Sequence, residues 1–128
     1  MADIEIRKTM EDMEVLTVAK ALTLIGKTIE WTYIGYMYND QQYYRTTIGA
    51  IVTGEERAKA EPMEGYESRW DYWKKEVPRA LGDEKNTLYL FDTMGKDTHI
   101  KAHLNLNYYP EPTFTCSDAD REVYFRIL

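Results

Sequence analysis

The chain has 128 residues, of which 44% are hydrophobic and 30% are charged, and its formal net charge at pH 7 is −6. This length and composition predict one domain over residues 1–128 that folds alone, and they exclude a disordered chain. The acidic balance opposes direct binding to nucleic acid, which needs clustered Lys and Arg. An acidic mimic of nucleic acid that inhibits a basic protein is kept as an alternative.

The single cysteine, Cys116, excludes an internal disulfide and favours a reducing compartment. Residues Met1 to Arg7 lack the basic region and long apolar run of a signal peptide, and no apolar run is long enough to span a membrane. We therefore expect a cytoplasmic protein without membrane contact. Its size, acidity and lack of motifs also suit a small inhibitor from a virus or mobile element, which would act in the host cytoplasm.

The first half of the chain predicts a helix followed by a β-hairpin. Apolar residues recur at three- and four-residue steps before Gly26, which predicts a helix over Thr17–Ile25 at least, with Thr9 as an alternative start. Aromatic and β-branched residues then alternate with polar ones, which predicts two antiparallel strands. Gly35 and Gly49 within them indicate bulges or bends. The predicted strands here are Lys27–Tyr38, Tyr43–Thr53 and a short opening strand, Asp3–Lys8.

The second half predicts one more helix and three strands. Aromatic residues at helical spacing predict the helix Glu67–Val77, which Pro78 ends. Loops or turns are predicted over Gly54–Pro62, Leu81–Asn86 and Ser117–Asp120. The predicted strands are Thr87–Thr93, Asp97–Tyr108 and Val123–Ile127. The fold class expected is a small α+β domain with a mainly antiparallel twisted sheet or partial barrel of about five strands and one or two helices.

The strand Asp97–Tyr108 has the most regular alternation. Its apolar residues at even positions predict a packed face, and its polar residues at odd positions predict a solvated face. His99 and His103 are four residues apart, which suits zinc on a helix, but four strand residues separate them by about 13 Å. We therefore predict no metal site and no cofactor. The apolar stripe is Ile100, Ala102, Leu104, Leu106 and Tyr108.

No motif assembles an active site. Phosphate-binding glycine loops, a nucleophile elbow and a calcium loop are all absent from the sequence. Cys116 has no obvious basic neighbourhood, and adjacent acids such as Glu55 and Glu56 are uninformative in a chain with 22 acidic residues. An enzyme is therefore less favoured than a binding protein, and an enzyme of unrecognised type stays an alternative.

The unusual feature is tyrosine, with 11 residues, of which several crowd the first hairpin. Tyrosine is enriched in protein interfaces because its ring is large and rigid and its tip forms hydrogen bonds. We expect Tyr36 and Tyr44 to lie on the face of Glu30, away from Trp31. The leading hypothesis is a non-catalytic binding protein whose aromatic hairpin mediates self-association, giving a homo-oligomer, or binds a protein partner.

Two alternatives concern the same residues. The hairpin rings are core if a helix with Trp70 and Trp73 covers them. The chain sequesters a small anionic or nucleotide-like ligand if its rings stack on a base and Arg45, Lys101 or Arg126 meets a phosphate. The candidate ligand- or partner-binding residues are thus Tyr36, Tyr38, Tyr43, Tyr44, Arg45, Trp70, Trp73, Lys101 and Arg126.

Overall fold

A computed structural model describes residues 12–33, 42–104, 112–116 and 122–128. The described residues form seven strands and four helices, numbered here in chain order. The strands are β1 (Glu14–Val15), β2 (Thr28–Tyr33), β3 (Tyr44–Thr53), β4 (Thr87–Asp92), β5 (Asp97–His103), β6 (Phe114–Cys116) and β7 (Val123–Ile127). The helices are α1 (Val18–Leu22), α2 (Gly54–Ala60), α3 (Arg69–Glu76) and α4 (Ala80–Lys85).

The strands form one antiparallel sheet in the order β1-β7-β2-β3-β4-β5-β6. Its two outer strands meet, because Thr17 bridges to Thr113 and the Phe114 amide donates to the Leu16 carbonyl at 3.3 Å. The sheet therefore curls far enough to bring the residues beside its two outer strands into contact. The predicted α+β class with a mainly antiparallel sheet is confirmed, and the described residues form seven strands and four helices where about five strands and one or two helices were expected.

The inner face of the curled sheet holds the core. Alternate strand residues point inward, and burial of each large apolar side chain contributes about 1.5–3 kcal/mol relative to an exposed one. On β5 the predicted alternation is confirmed, since Ile100 and Ala102 are fully buried whereas Lys101 and His103 are half-buried. The core is formed by Leu16, Ala21, Leu24, Ile29, Trp31, Ile48, Leu90, Ile100, Ala102, Phe114, Val123 and Phe125.

The helix α1 begins where it was predicted and ends earlier. The Thr17 hydroxyl caps it by accepting a hydrogen bond from the Lys20 amide at 3.2 Å. The helix ends at Leu22, and the chain turns into β2 through Gly26, whose φ of +87° lies in the left-handed region that glycine tolerates.

Two segments predicted as loops or turns are helices. The loop prediction for Gly54–Pro62 is wrong because Thr53 and Glu56 form a reciprocal capping box that starts α2. The turn prediction for Leu81–Asn86 is wrong because residues 80–85 form α4, which packs against α2 and α3. The strands β1 and β6 were not predicted, since two or three residues show no period.

Several predicted features fall outside the described residues. They are the strand Asp3–Lys8, Gly35, Tyr36, Tyr38, the stripe members Leu106 and Tyr108, and the turn Ser117–Asp120. Within the described ranges, no helix combines the length and the apolar character that a membrane span requires.

Candidate functional site

The tyrosines predicted to form a contact surface include one that belongs to the core. Tyr44 pairs with Trp31 across β2 and β3, and the two rings stack with centroids 4.6 Å apart. The prediction that Tyr44 lies on the Glu30 face is therefore wrong, because residues directly opposed in register share one face of a sheet. Tyr44 packs against the core, and Tyr36 and Tyr38 lie outside the described residues.

The outer face of β2 carries a buried ion cluster around Glu30. This residue, 8% exposed, lies in register between Arg126 on β7 and Arg45 on β3. The Arg126 Nη2 atom donates to Oε1 of Glu30, and the Arg45 Nε atom lies 3.6 Å from Oε2. The Arg126 side chain is 29% exposed and the Arg45 side chain 73%. Both arginines predicted to meet a phosphate are therefore engaged with an internal carboxylate.

The chain entering β3 covers this outer face. The hydroxyl of the fully buried Thr32 donates to the Gln42 carbonyl at 2.5 Å, which holds the loop end over β2. Burial raises the pKa of the neighbouring Tyr43 hydroxyl, the Glu30 carboxylate raises it further and Arg126 opposes the rise. The Tyr43 hydroxyl thus stays protonated at neutral pH. Both faces of β2 are buried along most of its length.

The other predicted binding residues lie elsewhere. Trp70 and Trp73 are on α3, where Trp70 is buried, and their rings meet edge to face with centroids 6.3 Å apart. This helix packs against α2 and α4 and lies apart from the core cluster around Trp31. Lys101 lies on β5 opposite Tyr89 of β4. Among the predicted site residues that the structure describes, Tyr43, Arg45 and Arg126 lie together around Glu30, whereas Trp70 and Trp73 form a separate pair.

The histidines and the cysteine form no cluster in the structure. His99 is exposed with a φ of +66°, in an irregular stretch of β5 where Asp97 Oδ1 accepts its amide at 2.7 Å. His103 is half-buried, with Nδ1 3.4 Å from the Thr87 hydroxyl. Cys116 pairs with Ile100 in the β5–β6 ladder. In the part of the chain that the structure describes, no three potential metal ligands lie together.

A groove that sequence reasoning missed runs between α2 and the outer face of β3 and β4. It has a volume of about 840 Å³ and is open to solvent along its outer side. Its floor is apolar and is formed by Ala50 and Val52 of β3 and by Phe91 of β4. The remaining lining residues, from α2, the β4–β5 turn and the flanking positions, are Gly49, Glu56, Arg57, Ala60, Glu61, Asp92, Thr93, Gly95 and Asp97. We call this feature the α2 groove.

Arg57 forms the centre of the helical wall of the α2 groove. Its guanidinium carbon lies 4.5 Å from the centroid of the Tyr89 ring and 5.6 Å from that of Phe91, which are cation–π distances. Its Nη2 atom lies 3.1 Å from Asp97 Oδ2, and its Nε atom lies 3.3 Å from Glu61 Oε1. The outer face of β4 thus already holds one guanidinium group between aromatic rings and carboxylates.

Two further carboxylates line the groove and retain binding capacity. Asp92 uses Oδ1 to accept the amides of Met94 and Lys96, at 2.8 and 2.9 Å, which fixes the β4–β5 turn. Glu56 uses Oε1 in the capping box with Thr53. Among the described residues, no hydrogen-bond donor contacts Oδ2 of Asp92 or Oε2 of Glu56. With four carboxylates and one guanidinium, the groove lining is negatively charged.

Two close backbone approaches shape the groove. A Cβ atom at Gly49 would lie 2.6 Å from the Asp92 carbonyl carbon and 2.8 Å from the Thr93 Cα, so only glycine lets β3 approach the β4–β5 turn. A Cβ atom at Gly54 would lie 3.0 Å from the carbonyl carbon of Glu84, where the end of α4 meets the start of α2. Glycines at these two points therefore set the positions of the turn and of the helix.

Tyr89 connects the groove to α4. Its hydroxyl donates to Glu84 Oε2 at 2.8 Å while its ring lies beneath Arg57. Burial raises the pKa of the Tyr89 hydroxyl well above its usual range, and the hydrogen bond to the Glu84 carboxylate raises it further. The neutral phenol thus holds α4 to the outer face of β4.

The signal for the groove was present in part of the sequence. Thr53 and Glu56 have the spacing of a capping box, which marks the start of α2. In β4, Tyr89 and Phe91 alternate with Leu88 and Leu90, and this alternation indicates that the outer face of the strand carries aromatic rings. The packing of α2 above that face had no signal of its own.

Comparison with known proteins gives no relative. The chain matches no protein-family model, and no curated protein and no solved structure is significantly similar to it.

Proposed function

We propose that the chain is a non-catalytic, cytoplasmic binding protein that holds an extended segment of a protein partner in the α2 groove. One observation carries this proposal: an apolar floor of Ala50, Val52 and Phe91 lies open beneath a charged wall. An apolar core within a polar rim is the usual anatomy of a protein-binding surface. A groove open on its outer side also suits a chain that passes through it.

A protein partner fits better than a small anion or nucleotide. Small-molecule sites enclose most of their ligand, whereas this groove is largely open to solvent. Its carboxylates repel phosphate, and Arg45 and Arg126 are engaged with Glu30 on another part of the outer face. The charge pattern therefore favours a partner over the sequestration alternative.

The polar side chains that line the groove already make structural contacts, which supports binding rather than catalysis. Glu61 and Asp97 hold Arg57, Glu56 caps α2, and Asp92 fixes a turn. A general acid or base needs a proton-accepting group directed at a substrate, with a partner that tunes its pKa. The described lining residues instead use their charges to hold the walls of the groove in place.

The aromatic hairpin supplies a second contact region in this proposal. Arg45 and Ala50 both lie on the outer face of β3, separated by about 17 Å at 3.3 Å per residue. An extended segment that leaves the groove along β3 reaches Arg45 and the half-buried Tyr43. This geometry accommodates the tyrosine surface that the sequence predicts, with Tyr44 excluded because its ring stacks on Trp31 and packs against the core.

A blocking substitution tests the proposal. Ala60 is an exposed helical alanine that lines the groove, and Ala19 is an exposed helical alanine on α1. Twelve-residue peptides selected from a random displayed library against the wild-type chain should lose at least tenfold in affinity with Ala60→Trp. They should bind Ala19→Trp normally. Sedimentation equilibrium of both variants detects the case in which the partner is a second copy of the chain. Failure to select any peptide, or equal binding to both variants, contradicts the proposal.

A further inference from the structure

The chemistry of the α2 groove defines the kind of segment that fits it. We infer that the partner segment is basic, with an aliphatic residue on the groove floor and Lys or Arg side chains directed at Glu56 and Asp92. This inference rests on the proposed function and specifies its ligand. Three features of the groove support it, namely its charge, its aromatic floor and the carboxylate oxygens that hold no internal cation.

The first feature is charge complementarity. The groove lining carries the carboxylates of Glu56, Glu61, Asp92 and Asp97 and the single guanidinium of Arg57. The whole chain is also acidic, with a net charge of −6. A basic segment is therefore attracted toward the chain at long range and within the groove at short range. An acidic segment is repelled at both distances.

The second feature is the aromatic floor. Arg57 shows that this surface accepts a guanidinium group, because its cation lies over Tyr89 and Phe91 and bonds Asp97 at 3.1 Å. Phe91 is half-buried and lines the groove, so part of its ring remains exposed there. The aliphatic stem of a partner Lys or Arg can cover that ring while its charged end reaches the rim.

The third feature is the orientation of the carboxylates that hold no internal cation. Glu61 and Asp97 are committed to arginines, at 2.9 to 3.3 Å. Glu56 and Asp92 instead accept hydrogen bonds from Thr53 and from turn amides, each through one oxygen. Their second oxygens are therefore available for charge-assisted hydrogen bonds from a partner cation.

The test uses three synthetic heptapeptides that carry a neutral dye. The first alternates Arg or Lys with Leu, the second replaces each cation with Gln, and the third replaces each cation with Glu. Fluorescence anisotropy at 50 mM NaCl should give at least tenfold tighter binding for the basic peptide than for the Gln peptide. The Glu peptide should not bind. Raising NaCl to 300 mM should weaken the basic complex, because exposed ion pairs are screened.

Matched variants locate the effect. Glu56→Gln with Asp92→Asn keeps the capping box and the turn hydrogen bonds, since Gln and Asn retain the accepting oxygens. This double variant should weaken the basic peptide about fivefold to thirtyfold, the range expected for two exposed ion pairs. Glu64→Gln with Glu67→Gln changes two exposed residues outside the groove lining by the same total charge and should weaken it less than twofold.

Three outcomes would overturn the inference. If the basic and Gln peptides bind equally well and Ala60→Trp abolishes the binding of both, the groove is the binding surface but its partner is not basic. Equal weakening by the two double variants would mean that attraction is general to the acidic chain. Absence of binding by all three peptides, together with failure to select any peptide, would refute both this inference and the proposed function.

Discussion

The ion cluster around Glu30 provides the sharpest test of the structure. Glu30 is 8% exposed, and its two arginines differ in burial, since the Arg126 side chain is 29% exposed and the Arg45 side chain 73%. Removing one partner of a buried ion pair costs about 3–5 kcal/mol, because the remaining charge is left buried and uncompensated. Removing an exposed partner costs about 0–1 kcal/mol.

We therefore expect Arg126→Met to destabilise the protein by about 3 kcal/mol and Arg45→Met by less than about 1 kcal/mol. For a domain of this length, about 1 kcal/mol corresponds to roughly 4 °C in Tm. The expected falls in Tm are thus roughly 12 °C and at most about 4 °C, measured by circular dichroism melts at pH 7.

A double variant separates the ion pair from the other contacts of Arg126. In the Arg126→Met background, Glu30→Gln replaces a buried carboxylate, paired only with the exposed Arg45, with a neutral amide of the same shape. The double variant should be more stable than Arg126→Met alone, because a buried neutral amide costs far less than a buried unpaired charge. Equal losses from Arg126→Met and Arg45→Met, or no recovery in the double variant, would refute the assignment of Glu30 as a buried, paired charge.

Three further predictions concern β3 and β4. Gly49→Ala should lower the Tm by several degrees because its Cβ would clash with the β4–β5 turn. The control Gly82→Ala has open space around the added Cβ and should leave the Tm unchanged or raised. Equal changes in Tm for the two variants would contradict the close approach of β3 to the turn. Tyr44→Ala should lower the Tm because it removes the ring stacked on Trp31, and a full Tm with weakened partner binding would restore Tyr44 to the contact surface. Because burial raises the folded-state pKa of Tyr89, the unfolded chain releases this proton first and stability should fall as pH rises above about 10. Tyr89→Phe should reduce this loss of stability, measured by urea unfolding at alkaline pH. An unchanged dependence of the unfolding free energy on pH would contradict the contribution of Tyr89.

The sequence predicts those strands and helices in which the pattern of apolar and polar residues extends over enough positions to be recognised. The stripe of Ile100 and Ala102 on β5, the antiparallel hairpin of β2 and β3, and the closing strand β7 all follow from alternation. The helix α2 was not predicted, although Thr53 and Glu56 have the spacing of a capping box, because its charged sequence has no clear apolar period. The helix α4 had no cap signal, since Arg79 makes no side-chain cap bond.

The ion cluster was not predictable because burial depends on neighbours that are distant in sequence. Glu30 alternates with Ile29 and Trp31, so the period-two pattern places it on the opposite face of β2 and does not identify the residues that cover that face. In the structure, Arg126 comes from a strand almost a hundred residues later, and Gln42 covers Thr32 beside it. Tyr44 shows the same limit, because strand register decides its face and no local signal fixed that register.

The α2 groove exists because of one extra residue in β3. The register of β3 against β4 shifts between Ile48 and Ala50, at Gly49. Strict alternation from the buried Ile48 would turn Ala50 inward and Ile51 outward. The bulge instead lets Ile51 pack against the core and leaves the small Ala50 on the groove floor. The space beneath α2 and the register of the sheet are therefore coupled, and a change that removes the bulge must fill the groove with Ile51.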